Sequence, residues 1–229
     1  MTSISQQIEE IEQALDEKRY KVGSWQKLVE QVDALGRDER VEISGLVSAL
    51  GNKLHQRHGF PGIPFVVGFV AELTLMVFGT YVLVIGSESL LLALAGSLAL
   101  ILSMQPFLKI LTGSLLGVRY AYAFLFYVEP RFKMQYGSYL SLTSMQRIVY
   151  HTSGAIGTPL AVLLAIQMLQ GFNLPMVWGW ILFWAAVALQ VIPFLAELMG
   201  LRKFGPFRLA VFTGAATIAT ELKKLRKGG

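Results

Sequence analysis

The sequence predicts an all-α integral membrane protein with four transmembrane helices. Three observations predict it. Apolar residues make up 54% of the 229-residue chain and charged residues only 15%, against roughly a quarter charged in a soluble domain. After Pro61 the apolar residues gather into four runs, each near the ~20 residues that a helix needs to cross the hydrocarbon core. Lys and Arg avoid two of the connections between these runs and concentrate in the others.

Residues 1–58 are expected to form an N-terminal cytoplasmic helical region. Ile4, Ile8, Ile11 and Leu15 make one apolar stripe at helical spacing. Gly23 interrupts it, and Ser24 is the expected N-cap of a second helix with the stripe Trp25, Leu28, Val32 and Leu35. After Gly36 a third helix is expected from Asp38, carrying Ile43, Leu46, Leu50 and Leu54. So short a region buries too little to stand alone, so it is expected to dock on something. Its first twenty residues lack an apolar core of the signal-peptide kind, so no cleavable leader is expected.

The two prolines and two glycines in residues 55–64 mark the entry to a four-span domain, residues 59–205. The spans are expected at about 65–85, 90–111, 153–169 and 176–198, with a kink at Gln105-Pro106. The links after the first and third spans carry no Lys or Arg. The second link carries Arg119, Arg131, Lys133 and Arg147, and the C-terminal side carries Arg202, Lys203, Arg208, Lys223, Lys224, Arg226 and Lys227. Basic residues stay on the cytoplasmic side of a membrane, so both termini are assigned there, and the absence of cysteine fits the expected bacterial inner (plasma) membrane.

Two helices outside the spans complete the prediction. Residues 114–128 are apolar and aromatic but hold Arg119. They are expected to extend the second helix or to lie in the interface plane between spans two and three, where Tyr rings sit well. A re-entrant hairpin is the alternative. Residues 206–229 are expected to form a basic amphipathic C-terminal helix with Leu209, Phe212 and Ala216 on one face. Its Lys-Lys-Leu-Arg-Lys end suits anionic headgroups, at about 1 kcal/mol per basic residue.

Glu72 is the sharpest chemical signal. It lies inside the first span, where an ionised carboxylate costs several kcal/mol and must be neutral, paired or wet. It is either a coupling carboxylate or a group that reaches a basic neighbour at the interface. The second signal is the link with Arg119, Tyr120, Glu129, Arg131, Lys133, Arg147 and His151. Arg presents a planar fork to anions and Tyr adds a hydroxyl donor, so these residues are candidate ligands for a lipid phosphate. A positive-inside loop with an aromatic belt is the plainer reading. His151, followed by Gly154 and Gly157, either admits a flat cofactor or marks close helix packing. His55 and His58 lack an acidic ligand at a recognisable spacing, so no metal is assigned and the cofactor stays unknown. Gln167 and Gln190 are expected to hold helices together by hydrogen bonds.

The chain has no cysteine, which excludes disulfides, thiolate zinc and Fe–S ligation. It has no zincin helix motif, nucleophile elbow or P-loop. The net charge of +5 belongs to the membrane flanks rather than to a nucleic-acid surface. The leading expectation is a multi-pass subunit or scaffold that docks partners or anionic lipid at the cytoplasmic face, as a homo-oligomer or part of a membrane complex. The alternatives are a small proton-coupled transporter using Glu72 and a membrane enzyme acting on a lipid or isoprenoid phosphate.

Overall fold

The computed structural model describes residues 4–57, 62–86, 88–126, 129–201 and 214–227. It is mostly helical, and its elements follow one another along the chain. The N-terminal region is α1 (Ile4–Asp16), α2 (Ser24–Asp33), α3 (Arg37–Glu42) and α4 (Ser44–Gln56). Then come β1 (Gly62–Pro64), α5 (Phe65–Ile85), α6 (Leu90–Leu115), β2 (Tyr120–Phe126), β3 (Glu129–Met134) and α7 (Tyr136–Leu140). The chain closes with α8 (Ser144–Leu169), α9 (Val177–Leu198) and α10 (Gly214–Lys227).

Helices α5, α6, α8 and α9 are each long and apolar enough to cross a membrane, as the four apolar runs predict, and they make this a multi-pass membrane protein. Helix α6 packs between α5 and α8, and α9 lies on α8. Small residues bring the backbones close, as they do where helices lack a hydrophobic drive to associate. A Cβ at Gly79 of α5 would meet the Gly96 carbonyl oxygen at 2.9 Å, and one at Gly157 of α8 would lie 2.6 Å from Gln105 Cα. Beside that contact the Thr158 hydroxyl donates to Gln105 Oε1 at 2.6 Å. Gln167, expected to bridge helices, is exposed on α8. Helix α6 runs unbroken through Pro106 to Leu115, four residues beyond the expected end at 111.

The N-terminal helices do not form a bundle of their own. Ile8, Ile11, Leu15, Leu28, Val32, Val47 and Leu50 share one apolar core with Val118, Tyr139, Leu140, Leu142 and Tyr150 from the second link and α8. The third expected helix is two, α3 and α4, divided at Ile43. Leu46, expected inward, is exposed, and Val47 takes its place in the core. Helix α2 is capped by Gly23 at φ 97°, with Ser24 as its first residue rather than its cap. Helix α4 meets α7 at Gly137, where a Cβ would come 1.8 Å from the Ser44 carbonyl oxygen. There the Gly137 N–H donates to Ser48 Oγ at 2.9 Å.

The fold is not all-α. Residues 114–128 were expected to be an interfacial helix; instead α6 ends at Leu115 and an antiparallel sheet in the order β1-β2-β3 follows. Gly117, at φ 91°, turns the chain out of the helix. Beyond it, aromatic side chains at Tyr120, Tyr122 and Phe124 recur at the two-residue period of a strand. The sheet seats on α5: the Phe65 and Tyr120 rings stack at 5.4 Å, and Phe132 meets Phe65 edge-on at 5.9 Å.

Helix α8 begins at Ser144 rather than near 153. A capping box fixes its start, with the Gln146 N–H donating to Thr143 Oγ1 and the Thr143 N–H to Gln146 Oε1. Helix α10 packs on α8 and α9, with Ala215, Ala216 and Ala219 buried. The rest of its expected face, Leu209 and Phe212, lies outside the described residues.

Candidate functional site

The early start of α8 sets Arg147 in its first turn and His151 one turn further on. Both are buried, Arg147 at 2% exposure. The Arg147 guanidinium donates from Nη1 to Asp33 Oδ1 at the end of α2, and to Glu221 Oε1 of α10 at 3.3 Å. Its Nη2 donates to the Leu140 carbonyl at 2.6 Å, and the group lies over the Tyr139 ring at 5.1 Å. Lys224, one turn from buried Glu221, pairs with Asp33 and with Glu221, and Arg40 reaches Asp33 at 3.5 Å. One buried cation thus ties together the N-terminal region, the second link, α8 and α10.

Burial pushes the Asp33 carboxyl up, but the hydrogen bonds and charges of Lys224 and Arg147 outweigh it and hold the group below its ordinary value. Burial likewise raises the Tyr136 and Tyr139 hydroxyls, against the nearby Arg147 charge, so both stay protonated donors at neutral pH. Tyr139 shares a hydrogen bond with His151 Nε2 at 2.9 Å. The His151 ring is wedged edge-on between Tyr139 and Tyr150. Its Nδ1, Arg147 Nε and Glu221 Oε2 have no hydrogen-bond partner among the described residues.

The other expected ligands sit elsewhere. Arg119 is exposed just before β2, and its backbone N–H donates to Ser138 Oγ at 2.9 Å. Arg131 is exposed on β3, opposite Phe124. Glu129 opens β3. Lys133 is half-buried on the same strand, and burial lowers its ammonium below the usual lysine value. Tyr120 turns inward, donating to the Lys109 carbonyl at 3.2 Å. Arg147, which was expected to face an anion with Arg119 and Arg131, has its fork occupied by carboxylates of the chain itself.

The glycines after His151 serve helix packing. A Cβ at Gly154 would meet Lys109 Cδ at 3.2 Å, and the Gly157 face is closed by the α6 backbone. His55 Nδ1 lies 2.7 Å from the Tyr122 hydroxyl, and His58 is outside the described residues. Among the described residues no three His, Cys, Asp or Glu gather to hold a metal.

Glu72 lies apart from this cluster. It is 1% exposed, on the face of α5 that also buries Gly68, Gly79 and Val82. Its Oε2 has no hydrogen-bond partner among the described residues. The basic neighbour expected at the interface is not paired with it in the described structure. Gly68, one turn before, backs onto Ala123 and Phe132 of the sheet. Met76, one turn after, packs on Leu100, Met104 and Ala161.

Asp33 and Glu221 are the residues that sequence reasoning missed. Asp33 follows Val32 on the buried side of α2, and Glu221 interrupts the alanine face of α10. Those positions were the available signals. No family model, curated protein or solved structure matches the chain.

Proposed function

We propose that the chain is a non-catalytic multi-pass subunit of a bacterial inner membrane. Its cytoplasmic face would present a fixed platform to protein partners and anionic lipid. The observation that carries this reading is the Arg147 cluster. A guanidinium 2% exposed and shared between Asp33 and Glu221 holds three separate parts of the chain in one arrangement. Buried ion pairs add little net stability over apolar packing, and fixing an arrangement is a role they can fill instead. The same pairing engages Arg147, one of the residues of the lipid-phosphate enzyme reading, with the chain's own carboxylates. The positive-inside rule supports placing this end of the bundle in the cytoplasm.

The test is native mass spectrometry of the protein taken directly from its membrane in lipid nanodiscs. A second chain or an anionic lipid at fixed stoichiometry is expected, lost in Arg147→Gln and kept in Arg226→Gln. A wild-type protein that carries no fixed companion and turns over a lipid phosphate would overturn the platform reading. A small proton-coupled transporter is the second reading, favoured by the burial of Glu72 alone.

A further inference from the structure

Glu72 poses a question that the platform leaves open. Helix α5 packs against α6, α8 and all three strands. The titratable and charged groups on those elements are Lys109 of α6, Tyr120 and Tyr122 of β2, Glu129, Arg131 and Lys133 of β3, and Arg147, Tyr150 and His151 of α8. Lys109 sets its ammonium over the Tyr150 ring at 5.2 Å. Tyr120 donates to the Lys109 carbonyl, Tyr122 meets His55, and Arg147 and His151 are engaged in the cluster. Among the described residues none of these groups pairs with Glu72.

We propose that Glu72 is a proton-binding site within the membrane, neutral as a carboxylic acid at neutral pH and able to release and regain its proton in the folded protein. Two features carry this. A carboxylate sealed from water with no cation beside it is too costly to persist, so the site holds something positive. A purely structural acid in a dry core donates its proton to a fixed acceptor. Glu72 Oε2 has no hydrogen-bond partner among the described residues, so no hydrogen bond holds a proton on that oxygen. A metal ion is the poorer occupant. A hard cation takes about six oxygen ligands, and no group of acidic or imidazole side chains assembles here among the described residues. The reaction breaks and forms only the carboxyl O–H bond, and the proton passes to water as hydronium and returns from it. The inference rests on the burial of Glu72. It holds whether or not the platform reading does, and whether or not a substrate moves with the proton.

The experiment is infrared difference spectroscopy of wild type against Glu72→Gln in lipid, from about pH 5 to about pH 10. The expected result is a protonated-carboxyl carbonyl band in the wild type at neutral pH, shifted by D2O and missing from the variant. That band should be lost in one titration on the alkaline side while the amide bands stay unchanged. Should Glu72→Gln fail to fold, Glu72→Asp keeps the acid and must move the band. An ionised carboxylate at neutral pH overturns the proposal. So does a carbonyl band that persists unchanged to the alkaline end, which would make Glu72 a fixed structural acid.

Discussion

Arg147 of α8 and Asp33 of α2 stand 114 residues apart in the chain and share a hydrogen-bonded ion pair. The same guanidinium reaches Glu221, 74 residues on. The arrangement at this end of the molecule therefore depends on one side chain more than on any local element.

Replacing Arg147 by Gln removes the most buried cation of the cluster and leaves the buried Glu221 with Lys224, which is partly exposed. Removing one partner of a buried pair costs about 3–5 kcal/mol. Thermal unfolding in detergent should show a clear fall in Tm for Arg147→Gln. Arg226→Gln, at an exposed position of α10, should change stability by no more than about 0.5 kcal/mol. Adding Asp33→Asn and Glu221→Gln to Arg147→Gln should recover part of the loss, because the stranded charges are then gone. A triple variant less stable than Arg147→Gln would remove the charge explanation.

Acid should release the N-terminal region. The folded Asp33 carboxyl lies below the ordinary value of 3.8. A depressed carboxyl contributes stability that is fully present above the unfolded value and lost as pH falls through the folded one. Cleavage of α1 and α2 by an acid-active protease should therefore be slow at about pH 5 and rise as pH drops below about 4. In Asp33→Asn this step should be much smaller. A step of equal size in the variant would assign it to other carboxylates.

Gly157→Ala should loosen the bundle. Its Cβ would press on the α6 backbone at 2.6 Å, which cannot yield as a side-chain tip can. A loss of about 1–3 kcal/mol is expected. At Gly45 of α4 nothing lies within 4 Å, so the same change there should be neutral or mildly stabilising. Melting curves of the two variants decide it, and an unperturbed Gly157→Ala would mean that α6 and α8 are further apart than described.

Single cysteines report the sidedness. Asn173→Cys, in the link between α8 and α9, should react with an impermeant thiol reagent added outside intact cells. Ser5→Cys and Arg131→Cys, at exposed positions, should react only after the cells are opened. Labelling of Arg131→Cys from outside would reverse the assigned orientation.

The four spans were legible because length and hydropathy are local properties. The sheet was not, although its mark was present: Tyr120, Tyr122 and Phe124 alternate with Ala121 and Ala123. An apolar run of that length fits a buried helix as readily as a strand until a turn decides, and Gly117 was the turn to weigh. Of the candidate site, Glu72 stood out as a charge inside an apolar span, Arg147 as a basic residue of the second link and His151 at the opening of an apolar run. Their surroundings did not, because Asp33 and Glu221 look like ordinary solvent-facing acids on amphipathic helices. The approach of distant segments turns them inward, and within their own helices the mark is a place beside Val32 and on the alanine face of α10.

The order in which the cluster's members are made has its own consequence. Translation delivers Asp33 first, Arg147 next and Lys224 last, 191 residues after Asp33. Through most of synthesis and insertion the N-terminal helices have no finished surface to settle on, and Arg147 waits with at most one of its two acids. The clasp closes only when α10 has left the ribosome. The making of α10 is thereby reported in the N-terminal helices, and a product without α10 would leave α1 and α2 open to proteolysis.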